Sequence, residues 1–156
     1  LEQGQLCKLA VLERHHATGN VGVGLLAGYG LRDGAVATTV GHDSHNLIVV
    51  GTNDEDMLVA IRFLERIQGG VALVQKGKVT ASLRLPAYGL MTDLPAEEFL
   101  PQLEKMLEQL CQAGIPHDID PLVTLSFLAL PVLPEIRVTD MGIFHVSTFT
   151  FLGDKE

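Results

Sequence analysis

The sequence predicts an α/β or α+β fold: a layered sandwich of mixed β-sheet with two main amphipathic helices, in a single domain over residues 1–156, not a (β/α)8 barrel. Three observations carry this. Runs with a period of two outnumber runs with a helical period, and the helical runs interrupt them. At 156 residues the chain has the size of one domain, enough to bury a core and too short for a barrel of about 250 residues. Its 16 glycines and 7 prolines lie scattered between apolar runs, where they punctuate elements and form no linker; no internal repeat is visible.

Cys7, Leu9 and Val11 alternate with Lys8, Ala10 and Leu12, a first strand. A second covers Val21–Leu26, with Val21, Val23 and Leu25 on one face and Gly22 and Gly24 on the other. Ala35–Val40 and Leu47–Gly51 read as two more, separated by a polar stretch that suits a hairpin or a loop at a sheet edge. Thr52-Asn53-Asp54-Glu55 has the spacing of a capping box, and Met57, Leu58, Ile61, Leu64 and Ile67 follow at helical spacing until Gly69-Gly70. Val71–Val74 and Val79–Leu85 predict a hairpin around Lys76-Gly77-Lys78. Phe99, Leu103, Met106, Leu107 and Leu110 mark a second helix ending before Gly114, which Pro101 must begin or kink. Leu122–Leu130 is either a buried strand or a short core helix; Ile136–Val138 pairs as an edge, and Ile143–Phe151 reads as the last strand.

Composition narrows the function classes. The chain is 47% hydrophobic and 19% charged, a balance that suits a packed globule. A net charge of −8 without a Lys/Arg cluster argues against nucleic acid and against anionic membrane surfaces. No apolar run approaches the roughly 18 residues of a spanning helix, and the opening LEQGQLCKLAVLERH lacks a basic region followed by an apolar core. The absence of an initiator Met suggests a piece of a longer chain. Cys7 and Cys111 sit far apart in apolar-patterned segments, which predicts two buried reduced thiols and a cytoplasmic location.

Two polar clusters are capable of chemistry. His42-Asp43-Ser44-His45-Asn46 packs imidazoles and a carboxylate together, and His42, Asp43 and His45 are residue types that ligate divalent metals or move protons near neutral pH. The alternative is a turn in which Asp43, Ser44 and Asn46 bond the backbone. Glu13, His15 and His16, in Glu13-Arg14-His15-His16-Ala17-Thr18-Gly19-Asn20, extend the same site if the two strand ends converge; otherwise they form an exposed turn. Adjacent His side chains on a strand diverge, so at most one of His15 and His16 faces a given pocket. Gly19 to Gly30 is no phosphate loop, because no helix opens after it. Asp140 reads as a turn residue, and His117 and His145 have no clustered partner.

The strings ERHHATGNVGVGLLAGYGL, AVATTVGHDSHNLIVVGTNDEDM, LPAYGLMTD and PLVTLSFLALPVLPEIRVTDMGIF resemble, in content and order, the C-terminal domain of adenine deaminases of the amidohydrolase superfamily. The resemblance runs from about Leu9 to Val146, and HDSHN followed by NDEDM is its most specific part. His145 stands where the resemblance leads one to expect an acidic residue, and Gly41 where a small alkyl residue is usual. The resemblance implies an intact enzyme that hydrolyses adenine to hypoxanthine and ammonia through a metal-bound hydroxide. Its divalent metal, manganese or iron, is expected in an N-terminal barrel bearing a His-x-His pair, which this chain lacks. The implied partner is therefore that barrel, with the His42–Asn46 and Glu13–Asn20 stretches closing its purine pocket or holding a supporting metal. The other reading is a non-catalytic domain for assembly, including a homo-oligomer, or for ligand binding.

Overall fold

The computed structural model describes residues 6–153, so Leu1–Gln5, the opening of the stretch read for a targeting signal, lie outside it. Six strands form the main sheet: β1 (Cys7–Leu12), β2 (Val21–Leu26), β3 (Ala35–Thr38), β4 (Leu47–Gly51), β5 (Gly70–Gln75) and β6 (Lys78–Arg84). Their order is β2-β1-β4-β3-β5-β6, with every neighbouring pair antiparallel. Three helices follow the sheet's logic: α1 (Asp54–Ile67), α2 (Ala96–Gln112) and α3 (Pro121–Phe127). A small second sheet, β7 (Ile136–Thr139), β8 (Gly142–His145) and β9 (Thr150–Leu152), closes the described chain. The class is α+β.

The strand alternation sorts two cores, one on each face. Toward α1 point Ala10, Ala35, Ala37, Val49 and Ala72, small residues that let the helix sit close, with Met57, Ala60 and Leu64 completing the layer. Toward the other face point Leu9, Val11, Val36, Ile48, Val50 and Leu73, which pack with Met106 and Leu110 of α2, Leu125 of α3 and Val138 of β7. A one-residue slip in any strand would exchange these sets, so the register is strongly specified.

Gly22 and Gly24 have a steric purpose. A Cβ on Gly22 would stand 1.7 Å from the Thr139 carbonyl oxygen, and one on Gly24 would stand 2.9 Å from Val138 Cγ2. The glycine face of β2 is thus the seat of the second sheet. Its other face keeps Val21, Val23 and Leu25 exposed.

Several expectations change in detail. The first helix is capped by Asn53, not Thr52: Asn53 Oδ1 accepts from the Asp56 amide at 2.8 Å, and its Nδ2 donates to Asp56 Oδ2 at 3.0 Å. Thr52 Oγ1 is taken by the Gly34 amide at 3.0 Å. Leu58, read as core, is exposed. The third strand ends at Thr38 and does not reach Val40. The second helix starts at Ala96, so Pro101 lies inside it and does not begin it. The ambiguous run from Leu122 is helical, opened by the Asp120 cap and Pro121 at the first helical position. The stretch Ile143–Phe151 is no single strand; it folds back between His145 and Thr150 into the β8–β9 hairpin. Both cysteines are free, Cys7 buried and Cys111 only partly so.

Candidate functional site

The two polar stretches meet at one end of the main sheet. Because β1 pairs with both β2 and β4, the β1–β2 connection and the β3–β4 connection emerge side by side: Leu12 lies opposite both Val21 and Leu47. Arg14 Nε donates to the His45 carbonyl at 2.6 Å, and His15 Nε2 lies 2.8 Å from the Ser44 carbonyl. A carbonyl only accepts, so Nε2 is the protonated nitrogen of His15. The His16 ring lies edge-on to that of His15, with centroids 6.5 Å apart.

The β3–β4 loop is held from several sides. The His42 amide donates to the Ser126 carbonyl of α3 at 2.8 Å, and the His42 ring stacks on Phe127 with centroids 5.5 Å apart. His42 Nδ1 lies 3.0 Å from Asp43 Oδ1, on two largely exposed side chains. The His45 amide donates to Gly41, and Ser44 Oγ receives the Asn46 amide at 3.4 Å. Asn46 is buried, and its Nδ2 donates to Asp140 Oδ1 at 3.0 Å. Asp140 Oδ2 also receives Asn20 Nδ2 at 3.4 Å. Asp140 is therefore both a turn residue and the clasp between the clusters.

Glu13 organises the second stretch. Its carboxylate accepts from the amides of His15, of His16 at 2.8 Å and of Thr18 at 3.0 Å, and from the Thr18 hydroxyl at 3.1 Å. The Thr18 amide foremost, with the other donors adding, holds its pKa down at about 2. Arg14 sends Nη2 to the Tyr88 carbonyl at 2.8 Å, and burial lowers the pKa of its guanidinium. Thr39 Oγ1 braces the same turn through the Gly89 carbonyl at 2.7 Å.

Backbone strain gathers here. Of the seven non-glycine residues with positive φ among the described residues, Ala17 (53°), Asp43 (66°), His45 (49°) and Tyr88 (59°) belong to these loops. Such conformations persist where surrounding bonds over-determine them, and they concentrate at functional sites. His45 Nδ1 is buried and has no hydrogen-bond partner among the described residues. Among the described residues no three His, Cys, Asp or Glu side chains gather in a way that could hold a metal ion. The candidate ligands His42, Asp43 and His45 thus do not make a metal centre by themselves.

Arg14, Asp140 and Tyr88 are the participants the sequence reading passed over. Arg14 stood inside a quoted string beside three candidates, which was a usable signal. Asp140 acts across 94 residues to Asn46, for which no local signal exists.

Among the described residues no helix is long and apolar enough to cross a membrane. The family model described as the adenine deaminase C-terminal domain matches residues 2–150. The chain is similar to an adenine deaminase of Nitratidesulfovibrio vulgaris, 58% identical over 147 residues, covering 94% of this chain and 26% of that relative. It is 52% identical over 148 residues to an adenine deaminase of Halalkalibacterium halodurans, covering 95% and 25%. An adenine deaminase 2 of Carboxydothermus hydrogenoformans is 51% identical over 145 residues, covering 93% and 25%. The chain spans about a quarter of the length of the curated relatives it matches. On its fold-wide match, the chain belongs to the adenine deaminase C-terminal domain family.

Proposed function

We propose that this domain closes and supports the active site of an intact, cytoplasmic adenine deaminase that hydrolyses adenine to hypoxanthine and ammonia. The observation that carries the reading is the convergence of the two polar stretches into one braced cluster at a single end of the sheet. The reaction is that of the relatives, which are adenine deaminases. Their greater length leaves room for the barrel in which the divalent metal, manganese or iron, is expected.

In this reading the domain's residues bind, orient and exclude water. Adenine's edge offers ring nitrogens and an exocyclic amine. Ser44 and the His42–Asp43 pair supply donors and acceptors of matching kind. The Asp43 carboxylate, 3.0 Å from His42 Nδ1, sets an acceptor beside that ring. The buried His45 Nδ1, unpaired among the described residues, suits a partner from the opposing surface. The strained but braced backbone keeps these groups in place before substrate arrives.

The test is His42→Ala and His45→Ala in the full-length enzyme. At least one should lower kcat/KM for adenine by about tenfold or more, a loss of about 1.4 kcal/mol of transition-state stabilisation. Unchanged kinetics and unchanged metal content in both would sink the proposal. The isolated, folded chain should release no ammonia from adenine with manganese or iron supplied; turnover by it alone would overturn the supporting role.

A further inference from the structure

Beside β2 and α1, a groove of about 710 Å³ runs along the main sheet. Ala10 and Leu12 belong to its β1 lining, Val23 and Leu25 to its β2 lining, and Leu58 and Ile61 to its α1 lining. The lining is apolar and open: Val21 is 51% exposed, Val23 64%, Leu25 71% and Leu58 50%. Scattered surface hydrophobics are ordinary, but a contiguous patch of this kind marks an interaction surface. β2 is also an edge strand, VGVGLL, with no charge, proline or bulge of the kinds that protect a free edge from pairing.

The groove has a direction. The Lys8–Asp54 ion pair, at 2.7 Å, stands at the end where β1 begins. At the other end Leu12 and Ile61 also line a second depression of about 500 Å³ that reaches Glu13, Arg14 and Gln68. Leu12 and Ile61 thus stand between the apolar groove and the more polar depression beside the cluster.

What covers it follows from where the rest of the protein attaches. This domain is C-terminal in its family and makes up about a quarter of its relatives, so the remainder precedes it. A preceding segment leads into β1, whose first residue, Cys7, lies opposite Leu26, one residue from the Leu25 end of the groove. A covalently tethered segment meets this surface at a high effective concentration, on the order of millimolar for a short linker. We infer that the groove is the docking surface for the polypeptide preceding this domain in the intact protein, which seats apolar side chains on Val21, Val23, Leu25 and Leu58. The inference rests on family membership and on the groove, not on the cluster's part in catalysis.

The experiment is site-specific photo-crosslinking in the full-length protein, with p-benzoylphenylalanine replacing Val23 and, separately, Leu58. Both side chains are exposed in the domain, so neither replacement disturbs its core. The expected product runs at the mass of one polypeptide, and its crosslinked peptides map to the region before this domain. Mixing isotopically labelled and unlabelled subunits tells intramolecular from intersubunit products. Crosslinks to a second copy, or none from either position in a chain with normal circular dichroism, overturn the inference. Intramolecular crosslinks together with unchanged kinetics of the histidine variants would keep the docking and discard the active-site role.

Discussion

Arg14 donates through Nε to the carbonyl of His45, 31 residues further along the chain, at 2.6 Å. This one bond ties the end of β1 to a residue held at positive φ, and Nη2 of the same side chain carries the tie on to Tyr88. The guanidinium serves as a bracket with three loops on it.

Arg14→Lys keeps the charge and loses the fork that reaches two carbonyls at once. Hydrogen bonds from charged groups contribute about 1.5–3 kcal/mol when partly buried. The variant should therefore lose about 1–2 kcal/mol in urea unfolding, with faster hydrogen exchange in the β3–β4 loop. Wild-type exchange there would show that the loop holds itself.

Glu13 gives a pH dependence whose sign is set by its depressed pKa. A carboxyl lowered from 4.5 to about 2 on folding contributes order that is present above 4.5 and lost as pH falls toward 2. Protection of the His16 and Thr18 amides should disappear within that window, read by hydrogen exchange or amide NMR shifts. Glu13→Gln should remove the transition; if it persists, another group controls the turn.

Asp140→Ala strips the acceptor from a buried amide. Asn46 Nδ2 would be left without its 3.0 Å partner, at a cost of about 1–3 kcal/mol. The change should be visible as a lower urea midpoint, and Asp140→Asn, which keeps an acceptor oxygen, should recover part of it. A neutral outcome for the alanine variant would remove the clasp from the account.

The two glycines of β2 should behave unequally. Gly22→Ala drives a methyl group to 1.7 Å from a backbone oxygen that cannot swing away, whereas Gly24→Ala meets the end of a valine side chain at 2.9 Å. Overpacking against backbone should cost about 3 kcal/mol or more, and the valine can repack for about 1 kcal/mol. Equal losses in a thermal or urea series would contradict this view of how the second sheet is seated.

Leu47–Gly51 was legible as a short unbroken apolar run, because successive residues enter opposite cores and both faces are buried. The β5–β6 hairpin was legible from the apolar runs on either side of Lys76-Gly77-Lys78, although β6 already begins at Lys78. Other features depended on distant partners. Thr52 and Asn53 are both competent caps, and the choice turned on Gly34 claiming the Thr52 hydroxyl. Leu58 has the spacing of a core residue and lies beside the groove, so periodicity marks an apolar face without saying what covers it. Within the cluster, the residue types of His42–Asn46 announced chemical capacity. Their union with Glu13–Asn20 depended on β1 pairing with both β2 and β4, and the Asp140 clasp on a contact across most of the chain.

The bracing of the β3–β4 loop has a mechanical corollary. Anchored to α3 through His42, to β1 through Arg14 and to the β7–β8 turn through Asn46, it has no slack with which to act as a flap. A rigid wall avoids the entropy of ordering a mobile segment over each substrate molecule. Whatever this loop faces therefore meets a preformed surface and not a segment that folds over it.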